Sequence, residues 1–218
     1  AGIAHLAAIK SRIPFLHFFD GFRTSHEISK VEEMQMEDLA KLIDHKALQA
    51  FRDNALNPEH PVTRGTAQNP DIYFQARDAG SHFYDGIPDM VENYMKEIKK
   101  ITGREYHPFD YYGAKDAENI IVAMGSVTST IKEVIDHLVD KGEKVGLISV
   151  HLYRPFSEKY FMKVFPKSVK RVAVLDRTKE IGANGEPFYL AVRDLFYGKS
   201  NAPVIVGGRY GISSKDTT

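Results

Sequence analysis

The sharpest hydrophobic pattern in the chain runs from Asn119 to Val150, NIIVAMGSVTSTIKEVIDHLVDKGEKVGLISV. Residues 119–124 are a near-continuous apolar run rich in Ile and Val, which suits a strand buried on both faces. Gly125-Ser126 interrupts the run. Val127, Ile131, Val134, Ile135 and Leu138 then recur with the spacing of one helix face. Ser126 or Thr128 is placed to cap that helix, Gly142 ends it, and residues 145–150 form a second apolar run. Strand, helix and strand in succession predict a right-handed βαβ unit and so a parallel sheet. The alternation continues with a short helix over 156–164 opened by Ser157 and a strand over 171–175. A helix over 187–197 follows, burying Phe188, Ala191, Val192, Leu195 and Phe196, and then a strand over 204–206. Four strands separated by helices predict a compact α/β domain.

The first half has a different pattern. Residues 1–12 form a small-residue helix with Ile3, Leu6 and Ala7 on one side, and residues 14–19 (PFLHFF) read as a buried strand. His17, inside that run, fits a hydrogen-bonded core position better than a metal ligand. The run leads into DGFRTSHE, residues 20–27, where Gly21 permits a sharp turn. A polar loop at the C-terminal end of a parallel strand is where open α/β folds place ligand contacts. The same residues also suit a plain turn in which Thr24 and Ser25 cap a local helix. Met36, Leu39, Ala40 and Ile43, then Leu48, Phe51 and Ala55, give two short amphipathic stretches. Residues 57–70 hold three prolines and no periodicity, so they form a connection, and Ile72, Ala76, Ala79 and Phe83 restore a helix. The clearest helix of this half covers residues 87–102. It has Pro88 in its first turn, Gly103 as its stop, and a stripe of Ile87, Met90, Val91, Tyr94, Met95 and Ile98. Residues 103–118 are aromatic-rich and read as a linker packed on a surface.

Composition narrows the chemistry. The 218 residues are 43% hydrophobic and 27% charged, with a net charge of zero and no block of like charge, which gives no sign of a nucleic-acid or membrane surface. Cysteine is absent, which excludes disulfides, thiolate metal sites, Cys nucleophiles and Cys-ligated iron–sulfur clusters from this chain. GxSxG, HExxH, P-loop and GxGxxG motifs are missing, and the nine histidines have no metal-ligand spacing. Arg154-Pro155 and Asp176-Arg177 follow predicted strands, where they could bind an anion but better suit a buried ion pair or a loop-anchoring hydrogen bond. The opening AGIAHLAAIK has neither Met nor a signal-peptide pattern and reads as mid-domain helix, as expected of a piece of something longer.

Six segments carry a family resemblance. HFFDGFRTSHE, RGTAQNPDIYFQAR, HPFDYYGAKDAENIIVAMGSVTSTIKEVIDHL, GEKVGLISVHLYRPF, VAVLDRTKEIGANGEP and PVIVGGRYGISSKD, in this order, resemble pyruvate:ferredoxin (flavodoxin) oxidoreductase. That family is a large thiamine-diphosphate, iron–sulfur enzyme that decarboxylates pyruvate to acetyl-CoA. The resemblance implies an α/β fold in two parts. Residues 1–103 would be the mostly helical end of a pyrimidine-binding domain plus a connection, and residues 104–218 a parallel-sheet domain like the C-terminal domain of transketolase. It implies that thiamine diphosphate, Mg²⁺ and [4Fe-4S] clusters belong to the full-length enzyme, with none bound by this chain alone. It also implies partners: the rest of the polypeptide, pyruvate, CoA, ferredoxin or flavodoxin, and a second copy in a cytoplasmic homodimer, with no nucleic acid and no membrane. The family's YPITP-type Thr, its activating Glu and its pyruvate-holding Arg precede the matching region, and its GDG…N site follows it. No catalytic residue is therefore carried over. The loop bearing Arg23, Thr24, Ser25 and His26 is expected to lie nearest the cofactor. The competing expectation is a free-standing ligand-binding or assembly module on the transketolase-C fold.

Overall fold

The structure, a computed structural model, describes residues 1–21, 23–63 and 65–213, with Arg23 in its backbone only. Its helices are α1 (Gly2–Ser11), α2 (Arg23–His26), α3 (Met36–Ala40), α4 (His45–Asp53), α5 (Pro70–Ala79), α6 (Ile87–Thr102), α7 (Val127–Asp140), α8 (Glu158–Val164) and α9 (Pro187–Asp194), with a 3₁₀ turn at Ser81–Tyr84. Its strands are β1 (Phe109–Gly113), β2 (Asn119–Ala123), β3 (Val145–Val150), β4 (Arg171–Asp176) and β5 (Val204–Arg209). The chain divides into two compact units, Ala1–His17 with Val31–Tyr106, and Phe18–Lys30 with His107–Thr218. The last crossing between them falls between Tyr106 and His107. The inclusion of Phe18–Lys30 in the second unit has no counterpart in the sequence pattern.

The first unit is helical and is built on α6. Its predicted stripe is buried at Ile87, Val91, Tyr94, Met95 and Ile98, and Gly103 ends the helix with φ 71°. Leu6 and Ala7 of α1 are buried, and α1 packs on both α6 and α4. Glu92 is also buried on α6, one turn from Lys96, whose ammonium lies 3.4 Å away. The helix α4 forms where periodicity places it, but α5 ends at Ala79 and leaves Phe83, expected on the same helix, in the 3₁₀ turn; Phe51, Ile72, Phe74 and Phe83 are exposed. Their apolar faces are uncovered by the described residues.

Residues 14–19 are not a strand. They pair with no strand among the described residues, and Leu16 and Phe19 are 87% and 76% exposed. Among the described residues the first unit contains no strand, and a lone extended segment cannot satisfy its own backbone donors and acceptors. His17 is exposed too, within 3.3 Å of the amino group of Ala1, and is not a core residue.

The second unit is a five-stranded sheet in the order β1-β3-β2-β4-β5. β2 pairs in parallel with β3 and β4, and β4 with β5. β1 corrects the linker reading of residues 103–118: it lies antiparallel on β3, with Phe109 opposite Val150 and Gly113 opposite Gly146. Side chains two apart share a face. Ile121, Ala123 and Leu147 face Ile131 and Ile135 of α7. Ile120, Val122, Ile148, Val172 and Val174 pack on the other side with Phe161 of α8 and Phe188, Val192 and Phe196 around α9. Helices on both faces explain why β2, β3 and β4 read as continuous apolar runs.

Candidate functional site

The C-terminal ends of β2 and β4 bring together the loops that carry the polar chemistry of the second unit. β2 leads through Met124 and Gly125 into α7, and β4 ends at Asp176 and Arg177. Gly125 has φ 81°, a conformation that L side chains rarely adopt, and the space where a Cβ would stand is taken by the carboxylate of Asp20.

That carboxylate, and not Ser126 or Thr128, caps α7. The Ser126 side chain makes no capping bond, and the Thr128 hydroxyl donates to the Gly125 carbonyl oxygen at 2.8 Å. The backbone N–H of Ser126 donates instead to Oδ2 of Asp20. Oδ1 of the same group accepts from Nη1 of Arg177 at 3.0 Å. Arg177 is fixed on its other edge, where Nε donates to the Gly211 carbonyl oxygen at 2.7 Å. Of the alternatives for Arg177, both an ion pair and a loop-anchoring hydrogen bond are formed. Burial alone would raise the Asp20 carboxyl, but the Ser126 N–H and hydroxyl and the Arg177 guanidinium together hold it below the usual carboxylate range.

Asp176 plays the equivalent part for α9. It is 3% exposed and accepts from the N–H groups of Phe188 and Tyr189, each at 3.0 Å. Burial nonetheless pushes its carboxyl upward, against the pull of those two N–H groups. Glu186, just ahead of α9, turns back on its own loop. It accepts from the Glu180 N–H at 2.7 Å, which with Arg209 and Lys179 lowers its pKa. Tyr210 covers the same edge, with its hydroxyl 3.5 Å from the Met124 carbonyl oxygen; burial raises its pKa. Arg154 stacks on the ring of Tyr153 at 4.0 Å and donates to the Tyr153 carbonyl and hydroxyl oxygens at 3.1 Å. It therefore anchors its own loop.

The loop expected nearest a cofactor forms the single turn of α2. Thr24, Ser25 and His26 are exposed, and the Thr24 hydroxyl is 3.4 Å from Oγ of Ser126. The Arg23 side chain lies outside the described residues. Sequence reasoning marked this loop and Arg177 separately but missed that Asp20 joins them across 157 positions. No local periodicity could carry that signal.

A diphosphate with its metal needs oxygen ligands gathered about a cation and several convergent donors. No three His, Asp or Glu among the described residues are grouped to hold a metal. The strongest anion-binding features here, the first turn of α7 and Arg177, are already taken by Asp20. These residues do not by themselves fit thiamine diphosphate.

Two family models cover most of the chain. Residues 1–96 match the model described as the thiamine diphosphate-binding part of pyruvate flavodoxin/ferredoxin oxidoreductase. Residues 117–216 match core domain II of pyruvate:ferredoxin oxidoreductase. The chain is 62% identical over 216 residues to the pyruvate-flavodoxin oxidoreductase of Klebsiella pneumoniae, covering 99% of this chain and 18% of that protein. It is 56% identical to the pyruvate:ferredoxin oxidoreductase of Moorella thermoacetica, covering 98% of this chain and 18% of the relative. Among solved structures it resembles a 2-oxoglutarate:ferredoxin oxidoreductase from Magnetococcus marinus at 16% identity and a TM-score of 0.40, over 72% of this chain and 23% of that one. No helix among the described residues is long and apolar enough to cross a membrane. With both family models matched in order and 99% of its residues aligned to one relative, the chain belongs to the pyruvate:ferredoxin/flavodoxin oxidoreductase family.

Proposed function

We propose that this chain serves as a structural section of an oxidoreductase that converts pyruvate and CoA to acetyl-CoA and CO₂, passing two electrons to ferredoxin or flavodoxin. The observation that carries this reading is identity of 62% over 99% of the chain to a pyruvate-flavodoxin oxidoreductase of which the chain spans only 18%. Residues 1–103 would then close a pyrimidine-binding domain and residues 104–218 form a transketolase C-terminal-like domain, within a cytoplasmic homodimer. Thiamine diphosphate, Mg²⁺ and iron–sulfur clusters would be held chiefly by the remainder of such an enzyme. The absence of cysteine from the sequence supports this for the clusters, whose usual ligands are thiolates.

The loop of Arg23, Thr24, Ser25 and His26 is proposed as this chain's approach to the cofactor. In support, Thr24 lies against Ser126 at the C-terminal end of a parallel strand, the side on which open α/β sheets bind ligands. When bound in such an enzyme, thiamine diphosphate supplies the carbanion stabilisation that decarboxylation needs. The part taken by these residues would be to orient polar groups and exclude water, with no proton transfer assigned to them.

Calorimetric titration of the 218-residue chain with thiamine diphosphate and Mg²⁺, alongside a pyruvate-dependent dye-reduction assay, tests the division of labour. The expected outcome is no micromolar binding and no turnover above a protein-free control. Either one would place the cofactor machinery in this chain and overturn the reading.

A further inference from the structure

Phe18–Lys30 falls inside the stretch that matches the thiamine diphosphate-binding family model, yet it belongs to the second compact unit. Burial of its apolar side chains does not explain this, since Phe18, Phe19 and Ile28 are all more than half exposed. Beside the Thr24–Ser126 hydroxyl contact, two charge-assisted contacts of this segment meet at one carboxylate. Asp20 accepts the Ser126 N–H with one oxygen and pairs with Arg177 through the other. It fills the space that Gly125, at φ 81°, leaves by having no side chain. These are three separate features: a helix of 14 residues lacking a side-chain cap of its own, a guanidinium anchored from behind by Gly211, and a glycine at the point of closest approach.

We propose that Asp20 is the latch that docks Phe18–Lys30 on the C-terminal edge of the second unit's sheet, so that loss of this carboxylate frees the loop and leaves the sheet intact. The chemistry favours the ionised group. An acceptor at a helix N-terminus interacts with the helix dipole, and a hydrogen bond from a guanidinium to a carboxylate is stronger than a neutral one. Order in the loop and order in the first turn of α7 then become one event, because the same side chain supplies both. The latch stands independently of what the loop binds.

The test is amide hydrogen exchange on the chain, comparing wild type with Asp20→Ala, Asp20→Asn and Arg177→Ala. In Asp20→Ala, peptides covering residues 18–30 and the start of α7 should exchange faster by roughly tenfold, while β3 and β4 peptides keep wild-type protection. Asp20→Asn, which keeps an acceptor but loses the ion pair, should fall between, and Arg177→Ala should perturb the same loop peptides. Unchanged exchange at 18–30 in Asp20→Ala would overturn the latch. Equal acceleration in the loop and the strands would also overturn it, by making Asp20 a general stability element. Should Asp20→Ala fail to fold, Asp20→Asn carries the comparison, and either wild-type protection or global unfolding in that variant counts against the proposal.

Discussion

At the scale of single residues, Gly125 is a tightly constrained position in the second unit. Any L residue there meets both an unfavourable positive φ and the Asp20 carboxylate. Gly125→Ala should destabilise the chain by about 2 kcal/mol in urea unfolding, with the loop displaced. A loss below about 0.5 kcal/mol, the range of an ordinary surface change, would mean the contact is dispensable. Asp20 also makes a pH prediction with a definite sign. Its folded pKa lies below the unfolded one, so the unfolded state binds the proton more readily. Its contribution to stability is therefore complete above the unfolded value and is lost as pH falls through the lower folded value. The Ser126 amide resonance should titrate with a midpoint below the ordinary Asp range; a midpoint above that range would contradict the assignment.

Among elements, α7 and α9 lie on opposite faces of one sheet, and each begins on a carboxylate from outside its own sequence. Asp176 is buried at the end of β4 and satisfies two N–H groups of α9. Asp176→Ala should cost about 2–3 kcal/mol, because it strands buried donors as well as removing a cap, and Asp176→Asn should cost less. Equal losses in the two variants would show that the second carboxylate oxygen is what matters. Phe161 is fully buried, with the rings of Phe109 and Phe165 centred 5.5 and 5.7 Å away. Phe161→Ala should cost about 3–5 kcal/mol, measured by the urea midpoint.

These elements also show what a sequence can and cannot disclose. β2, β3, β4 and β5 and the helices between them were legible because a sheet covered on both faces needs apolar runs, and the covering helices need apolar stripes. β1 was not. An edge strand with Asp110, Tyr111 and Tyr112 carries polar groups that a linker also carries, and its pairing is set by β3 some forty residues later. Residues 14–19 misled in the opposite way: their apolar run is genuine, but hydrophobicity predicts burial and cannot supply a neighbouring strand. The cap of α7 was assigned to Ser126 or Thr128 because capping rules weigh adjacent residues, whereas the acceptor is 106 positions away. In the candidate site, the loop and Arg177 could be marked from the sequence, but their meeting at Asp20 is a property of the folded second unit.

On the scale of the whole molecule, one unit is an α/β sheet covered on both faces, and the other is helical, with Phe51 of α4 and Phe74 of α5 exposed. The proposed role is that of a structural section of a pyruvate-oxidising enzyme. Its most direct test is a replacement: this chain substituted for the matching section of the Klebsiella pneumoniae pyruvate-flavodoxin oxidoreductase, with pyruvate- and CoA-dependent flavodoxin reduction as the readout. The account predicts a chimera that turns over within about tenfold of the parent, since an exchange of structural residues at 62% identity leaves the reacting groups in place. A folded, cofactor-loaded chimera with no pyruvate-dependent reduction would contradict it.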